Sequence, residues 1–360
     1  MQSRTEKIGD FLNPVLVREV RQSINGRVFR SVILLMLGIC FLITVIGARD
    51  VETGSGSGLF NSYFVVLFIM SLIIMPFGAF QLFRQERDGK TYELLMMTTL
   101  HPRQIVRGKL ICAIVQLSLL YSVITPFMAF SYLLKGIDIL TIIFLCTLTF
   151  LYAVLLCMFG LMLSALATNR SRNMLLSLAM LFLLLGQMGI MGEIFYEISR
   201  GSSVGSLLLD RDFVIGMICF LLQGISLLII LYLAAASLIT FAAANRSTAL
   251  RLAITANLIL TTVMFAFFWY DNGYDSEALI VYFTAYVGPF WGLFALFCCT
   301  ESPGLSKRVR SEVPATRWGR IYVNLFYPGL GRGLNLILLG LVTMLGLGSF
   351  AIVGDFSSGG

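Results

Sequence analysis

The chain has 360 residues, of which 58% are hydrophobic and only 12% charged, with a mean hydropathy of +0.89. Soluble domains carry about a quarter charged residues, so this balance excludes an ordinary soluble fold and reads as an all-α polytopic membrane protein. The net charge of +7 comes from bases spread over short intervals rather than gathered on one aromatic-rich face, which argues against a nucleic-acid partner.

Residues 1–30 form a charged N-terminal segment, and 11–30 read as an amphipathic helix. Asn13 is a good N-cap and Pro14 suits the first helical position. Leu16, Val20, Ile24 and Val28 line one face, while Arg18, Arg21, Arg27 and Arg30 supply the basic remainder. Such a helix lies in the membrane interface beside anionic lipid. A charged stretch of this length ahead of the first apolar run is not the pattern of a secretory signal peptide.

Nine apolar runs follow, each close to the roughly 20 residues that span hydrocarbon. They fall near 31–48, 60–83, 110–134, 139–167, 173–194, 213–241, 252–270, 278–299 and 334–353. With the N-terminus in the cytoplasm, 22 of the 26 bases lie in inside intervals. Only Arg49, Lys135, Arg200 and Arg211 fall outside, an asymmetry that sets the orientation. The acids run the other way, with Asp271, Asp275 and Glu277 in an outside loop that has no base. Nine spans put the C-terminus outside the cytoplasm of a plasma (inner) membrane.

The seven cysteines all sit in apolar runs and form no C-x-x-C pair, so they read as small hydrophobes. Gly89-Lys90-Thr91 imitates the tail of a phosphate-binding loop. Arg84 stands where the first glycine would be, and a membrane span rather than a strand precedes it. His101 is the only histidine, which excludes a zinc site needing two. Its pairing with Pro102 reads as the end of a helix in the loop before it. No span carries an acid or base at its centre, against an ion-coupled carrier. The buried amides of Gln116, Gln187, Gln223 and Asn257 read as ties between helices. Asn169-Arg170-Ser171 and Asn245-Arg246-Ser247 read as short basic turns at cytoplasmic span ends. An apolar stub, 204–209, is either a re-entrant dip or part of an outside loop. These readings predict no enzyme activity, no metal and no cofactor in this chain.

The longest polar interval in the first 270 residues is 84–109, between the second and third spans. It holds an acid-base cluster (Arg84, Glu86, Arg87, Asp88, Lys90), an amphipathic piece over 91–100, and a basic cluster (Arg103, Arg107, Lys109). The run Glu86-Arg87-Asp88-Gly89-Lys90-Thr91-Tyr92-Glu93-Leu94-Leu95, then Pro102-Arg103 and Gly108-Lys109, resembles the signature loop of type-2 ABC transporter permeases. Asp88 replaces the usual Glu, and Lys90 stands beside the glycine. The layout agrees from about 10 to 241, with an interfacial helix, six spans over 31–241 and a stub between the fifth and sixth. The region 242–360, with its basic 300–332 loop, is additional.

The resemblance implies a coupling helix that fits a groove on a separate ABC ATPase. Glu86, Arg87, Gly89, Thr91, Glu93, Leu94, Leu95, Met97, Pro102 and Lys109 would form that site. Asn13, Pro14, Arg18 and Arg21 would belong to the interfacial helix, with Glu86 near enough in role to pair with Arg18 or Arg21. It implies two permeases, identical or not, with two ATPases and lipid around them, in an exporter. The alternative reading is a membrane scaffold or anchor of a secretion or motility assembly that uses a permease-like fold.

Overall fold

The structure, a computed structural model, describes residues 20–22, 24–47, 56–88, 101–134, 137–167, 169–200, 204–240, 245–271, 287–288, 291–292, 294, 310 and 316–358. Among these residues the regular structure is helical and no strand occurs. In chain order the helices are α1 (Arg27–Gly47), α2 (Gly56–Ile69), a π-helical turn (Met70–Ile74), α3 (Met75–Asp88), α4 (Pro102–Leu133) and α5 (Ile139–Leu166). There follow α6 (Arg170–Arg200), the short α7 (Val204–Leu207), α8 (Arg211–Ile239), α9 (Thr248–Asp271), α10 (Arg317–Phe326) and α11 (Leu330–Ser358).

Among the described residues, seven stretches are long and apolar enough to cross a membrane: Arg27–Gly47, Ser57–Leu82, Pro102–Leu133, Ile139–Leu166, Arg170–Gly189, Arg211–Ile239 and Thr248–Asp271. These correspond to the first seven predicted spans, so the chain is a multi-pass helical membrane protein. The predicted eighth span, 278–299, lies almost wholly outside the described residues, and the ninth falls within α11.

Two boundaries differ from the sequence reading. Helix over 20–22 ends in a turn closed by the Asn25 N–H on the Arg21 carbonyl (3.2 Å), and α1 starts afresh at Arg27. The Asn25-Gly26 pair is a strong breaker, so Arg27, Val28 and Arg30 belong to the first span rather than to one helix over 11–30. Helix α4 starts at Pro102, well before the predicted 110, because local capping rather than hydropathy sets its first turn.

The chain forms two compact units, 1–218 and 219–360, which part inside α8. In the first unit, α3 and α5 approach most closely at Gly160. A Cβ there would stand 2.6 Å from the Pro76 carbonyl oxygen and 3.4 Å from the Phe80 nitrogen, so glycine is required for this crossing. Pro76 has no N–H to offer the Leu72 carbonyl four residues back. Gln187 of α6 donates its Nε2 to that oxygen at 3.4 Å, and the π turn at Met70–Ile74 absorbs the irregularity. Thr44 and Tyr63 hydroxyls bridge α1 and α2 (2.8 Å), and Tyr121 donates to Thr149 between α4 and α5 (3.0 Å).

Asp138 caps α5 by accepting from the Thr141 N–H (3.2 Å) and hydroxyl (2.6 Å). The same hydroxyl accepts the Val204 N–H at 3.3 Å, and Val204 is fully buried. The stub is therefore a packed turn at the head of α5, not an element that crosses.

In the second unit, Leu250, Ile254, Leu258, Phe265 and Trp269 of α9 gather with Ile230, Val287, Trp291, Phe294 and Leu336 into an apolar core. Across α8 and α9, Asn257 donates Nδ2 to Ser226 (3.0 Å) and Thr261 donates to Gln223 Oε1 (3.4 Å). Gln187, Gln223 and Asn257 are thus ties between helices, as their sequence setting implied. Asn245 accepts from the Thr248 hydroxyl at 2.8 Å and its N–H at 3.4 Å, so that polar turn is a helix cap. Cys40, Cys112 and Cys157 are buried free thiols, and Cys146 and Cys219 are half-buried ones.

Arg251, in the first turn of α9, is fully buried. Its Nη1 donates to the carbonyls of Leu325 (3.2 Å) and Tyr327 (2.8 Å), and its Nη2 to that of Gly329 (3.2 Å). One guanidinium thus holds the end of α10 and the turn into α11. Gly329 has φ 140°, a backbone state that glycine adopts without strain, and its carbonyl also accepts the Gly333 N–H that starts α11 (2.9 Å).

Candidate functional site

The predicted coupling stretch is bracketed by α3, which runs to Asp88, and α4, which begins at Pro102. Glu86 and Arg87 fall in the last turn of α3. Gly89, Thr91, Glu93, Leu94, Leu95 and Met97 lie outside the described residues, as do Asn13, Pro14 and Arg18. Arg21 is exposed, in the short helical stretch 20–22 that precedes α1.

The entry to α4 is doubly capped. His101 is extended (φ −68°, ψ 140°), as expected before a proline. Its N–H donates to Gln104 Oε1 at 3.1 Å, and its side chain accepts from the Gln104 N–H. Its carbonyl also accepts from Gln104 (2.8 Å) and Ile105 (3.4 Å). Pro102 occupies the first helical position, where its missing N–H costs nothing. His101-Pro102 therefore opens the third membrane helix rather than serving only to end the stretch before it.

This start recasts the basic cluster. Arg103 and Arg107 are exposed on one face of the first two turns, while Ile105, Val106, Lys109 and Cys112 are buried on the other. Lys109 is 2% exposed, so its stem and ammonium are set into the bundle. The structure thus makes Pro102 a helix-start residue and turns Lys109 inward, while Arg103 and Arg107 are exposed.

Sequence reasoning missed the Gly160 approach to Pro76 and the carbonyl, that of Leu72, which the Gln187 tie reaches. Pro76 in an apolar run was the available signal, since a proline inside a span frees a carbonyl that a neighbour must satisfy. Arg251 was also missed as a structural residue. Its placement directly between Leu250 and Leu252, at the mouth of an apolar run, was the clue.

Helix α3 follows on from α2 through the π turn, and α4 runs from its cap at His101 to Leu133. Two membrane helices therefore flank the stretch 89–100 in the chain.

A family model described as ABC-2 family transporter protein matches residues 14–269. No curated protein and no solved structure matches the chain. The match takes in α1 to most of α9, extending past the limit of 241 drawn from the loop and layout, and stops short of α10 and α11. It covers more than half of the chain. With seven apolar helices long enough to span a bilayer, this is a membrane subunit of a transporter, and the chain belongs to the ABC-2 transporter family.

Proposed function

We propose that the protein is the permease subunit of an ATP-driven exporter in the plasma membrane, moved by a separate ABC ATPase that grips the 84–109 loop. The observation that carries this reading is the mounting of that loop. It joins a helix running unbroken to Asp88 with a helix whose first turn is fixed by the His101–Gln104 double cap. A segment held that way transmits displacement instead of absorbing it.

In the proposed cycle, ATP closes two ATPase subunits beneath a pair of permeases, and their approach displaces the amphipathic piece over 91–100. Glu93, Leu94, Leu95 and Met97 supply the apolar and acidic contacts, with Arg103 and Arg107 as exposed bases at its far end. An apolar stripe on a charged segment gives a partner both grip and register. Lys109 acts within the bundle, not at the partner surface. Glu86 pairs with Arg18 or Arg21 to tie the interfacial helix to the loop. Glu86→Arg is expected to depress transport by about tenfold, the equivalent of roughly 1.4 kcal/mol; unaltered transport would remove that tie.

The decisive experiment is affinity purification of the tagged chain from native membranes, comparing wild type with Glu93→Arg/Leu95→Asp. An ATPase that accompanies the wild type and is lost from the double variant is the expected result. A folded, abundant wild-type protein with no ATPase would sink the motor reading in favour of a scaffold.

A further inference from the structure

We propose that α10 is a second interfacial helix, which binds the anionic phospholipid headgroups of the cytoplasmic leaflet and is clamped to the membrane boundary by Arg251. It lies beyond the residues that match the transporter family, and the proposal is independent of the loop reading above.

The register of α10 comes first. Trp318, Ile321, Tyr322, Leu325 and Phe326 recur at the spacing of a single helical face. Arg317, Arg320 and Asn324 share the opposite arc, three and four residues apart, with no acid in the helix. Arg320 and Asn324 are exposed, while Val323 and Tyr327 are buried and fix the helix to the second unit. Tyr322 remains exposed, tilted against the half-buried Phe326 (5.1 Å) and edge-on to the buried Tyr327 (6.1 Å). An exposed tyrosine on the apolar face of a helix whose other arc is basic suits a headgroup boundary.

The second observation is height. The carbonyls of Leu325, Tyr327 and Gly329 bond to Arg251, which is in the first turn of a membrane-spanning helix. Only three residues separate the end of α10 from the start of α11. The C-terminal end of α10 is thus tied to the foot of one apolar helix and lies just before the foot of another. It cannot float free in the cytosol or sink into the hydrocarbon. Thr316 caps the other end through the Gly319 N–H (3.2 Å), so the helix has a defined start.

The third is charge. Residues 307–332 hold six bases and one acid, and the base asymmetry assigns this interval to the cytoplasmic side, where anionic lipid concentrates. A lipid leaflet accepts both faces of α10 together, headgroups at the arginine arc and acyl boundary at the aromatic one. A free anion would satisfy only the first.

The test uses the full-length protein in an uncharged detergent, following thermal unfolding as lipid is added. Phosphatidylglycerol is expected to raise the midpoint by several degrees, and phosphatidylcholine or inorganic phosphate to leave it in place. Arg317→Gln/Arg320→Gln should lose the response, Arg317→Lys/Arg320→Lys should keep it, and Arg170→Gln/Arg172→Gln should be unaffected. A glutamine variant that responds like wild type, or an equal response to phosphate or phosphatidylcholine, overturns the proposal. A second measurement stands apart from those substitutions. With Tyr322 replaced by p-benzoylphenylalanine in native membranes, illumination should yield a phospholipid adduct; an adduct to protein alone overturns the proposal and reports a protein partner instead.

Discussion

Gly160 is the residue on which the first unit is most sensitive to a single methyl group. The atom nearest its missing Cβ is the Pro76 carbonyl oxygen (2.6 Å), which cannot rotate away as the Met180 methyl at 3.3 Å could. Gly160→Ala is therefore expected to destabilise by about 1–3 kcal/mol through overpacking. Thermal unfolding of the detergent-purified protein reads this directly. Gly186→Ala, where nothing lies within 4 Å, is the matched control and should be unchanged or slightly stabilised by the better helix former. A loss at both positions, or at neither, would contradict the account. The contrast with Gln187 shows what a sequence discloses at this scale. An amide inside an apolar run announces its need for a partner, whichever helix supplies it. A glycine there announces nothing until the opposing backbone is known.

At the scale of elements, Arg251 replaces three separate caps. Removing its side chain leaves the carbonyls of Leu325, Tyr327 and Gly329 to find water at a crowded helix junction. Arg251→Met should cost roughly 2–3 kcal/mol, the range for a lost charged hydrogen-bonding group. It should also speed amide exchange over 316–330 while leaving the amides of α4 protected. Helix starts were partly legible. His101-Pro102 with Gln104 three residues on is a cap signal in plain view, yet a hydropathy window overlooks it because the first turns of α4 carry Arg103 and Arg107. Asn25-Gly26 was equally visible as a breaker, but the four-residue apolar rhythm through Val28 outweighed it. In both places periodicity measured which face is apolar, while local backbone chemistry decided where the helix began. The proposed coupling residues from Gly89 to Met97 rest on the amphipathic pattern of 91–100 and on the family resemblance, and they lie outside the described residues.

For the whole molecule, the distribution of bases is the feature that sets direction. In a background with the native cysteines replaced, Asp271→Cys and Arg310→Cys place single thiols at exposed positions. An impermeant maleimide is expected to modify position 271 in intact cells and position 310 only in inverted vesicles; the reverse pattern would invert the topology. The all-helical class and the positions of the first seven spans were legible in the hydropathy because a bilayer tolerates so few alternatives. The limit near 241 was drawn from the span count and the loop pattern, whereas the two compact units are defined by contacts. The Arg251 clasp bears on topology in a further way. Helices α9 and α11 both begin at that guanidinium, and both enter the same apolar core through Leu258 and Leu336. At about 1.5 Å per residue, Leu258 and Leu336 each stand roughly 10 Å beyond the clasp. Two helices that leave one guanidinium and meet the same core at the same height run side by side in one direction, so a single arginine sets α9 and α11 parallel.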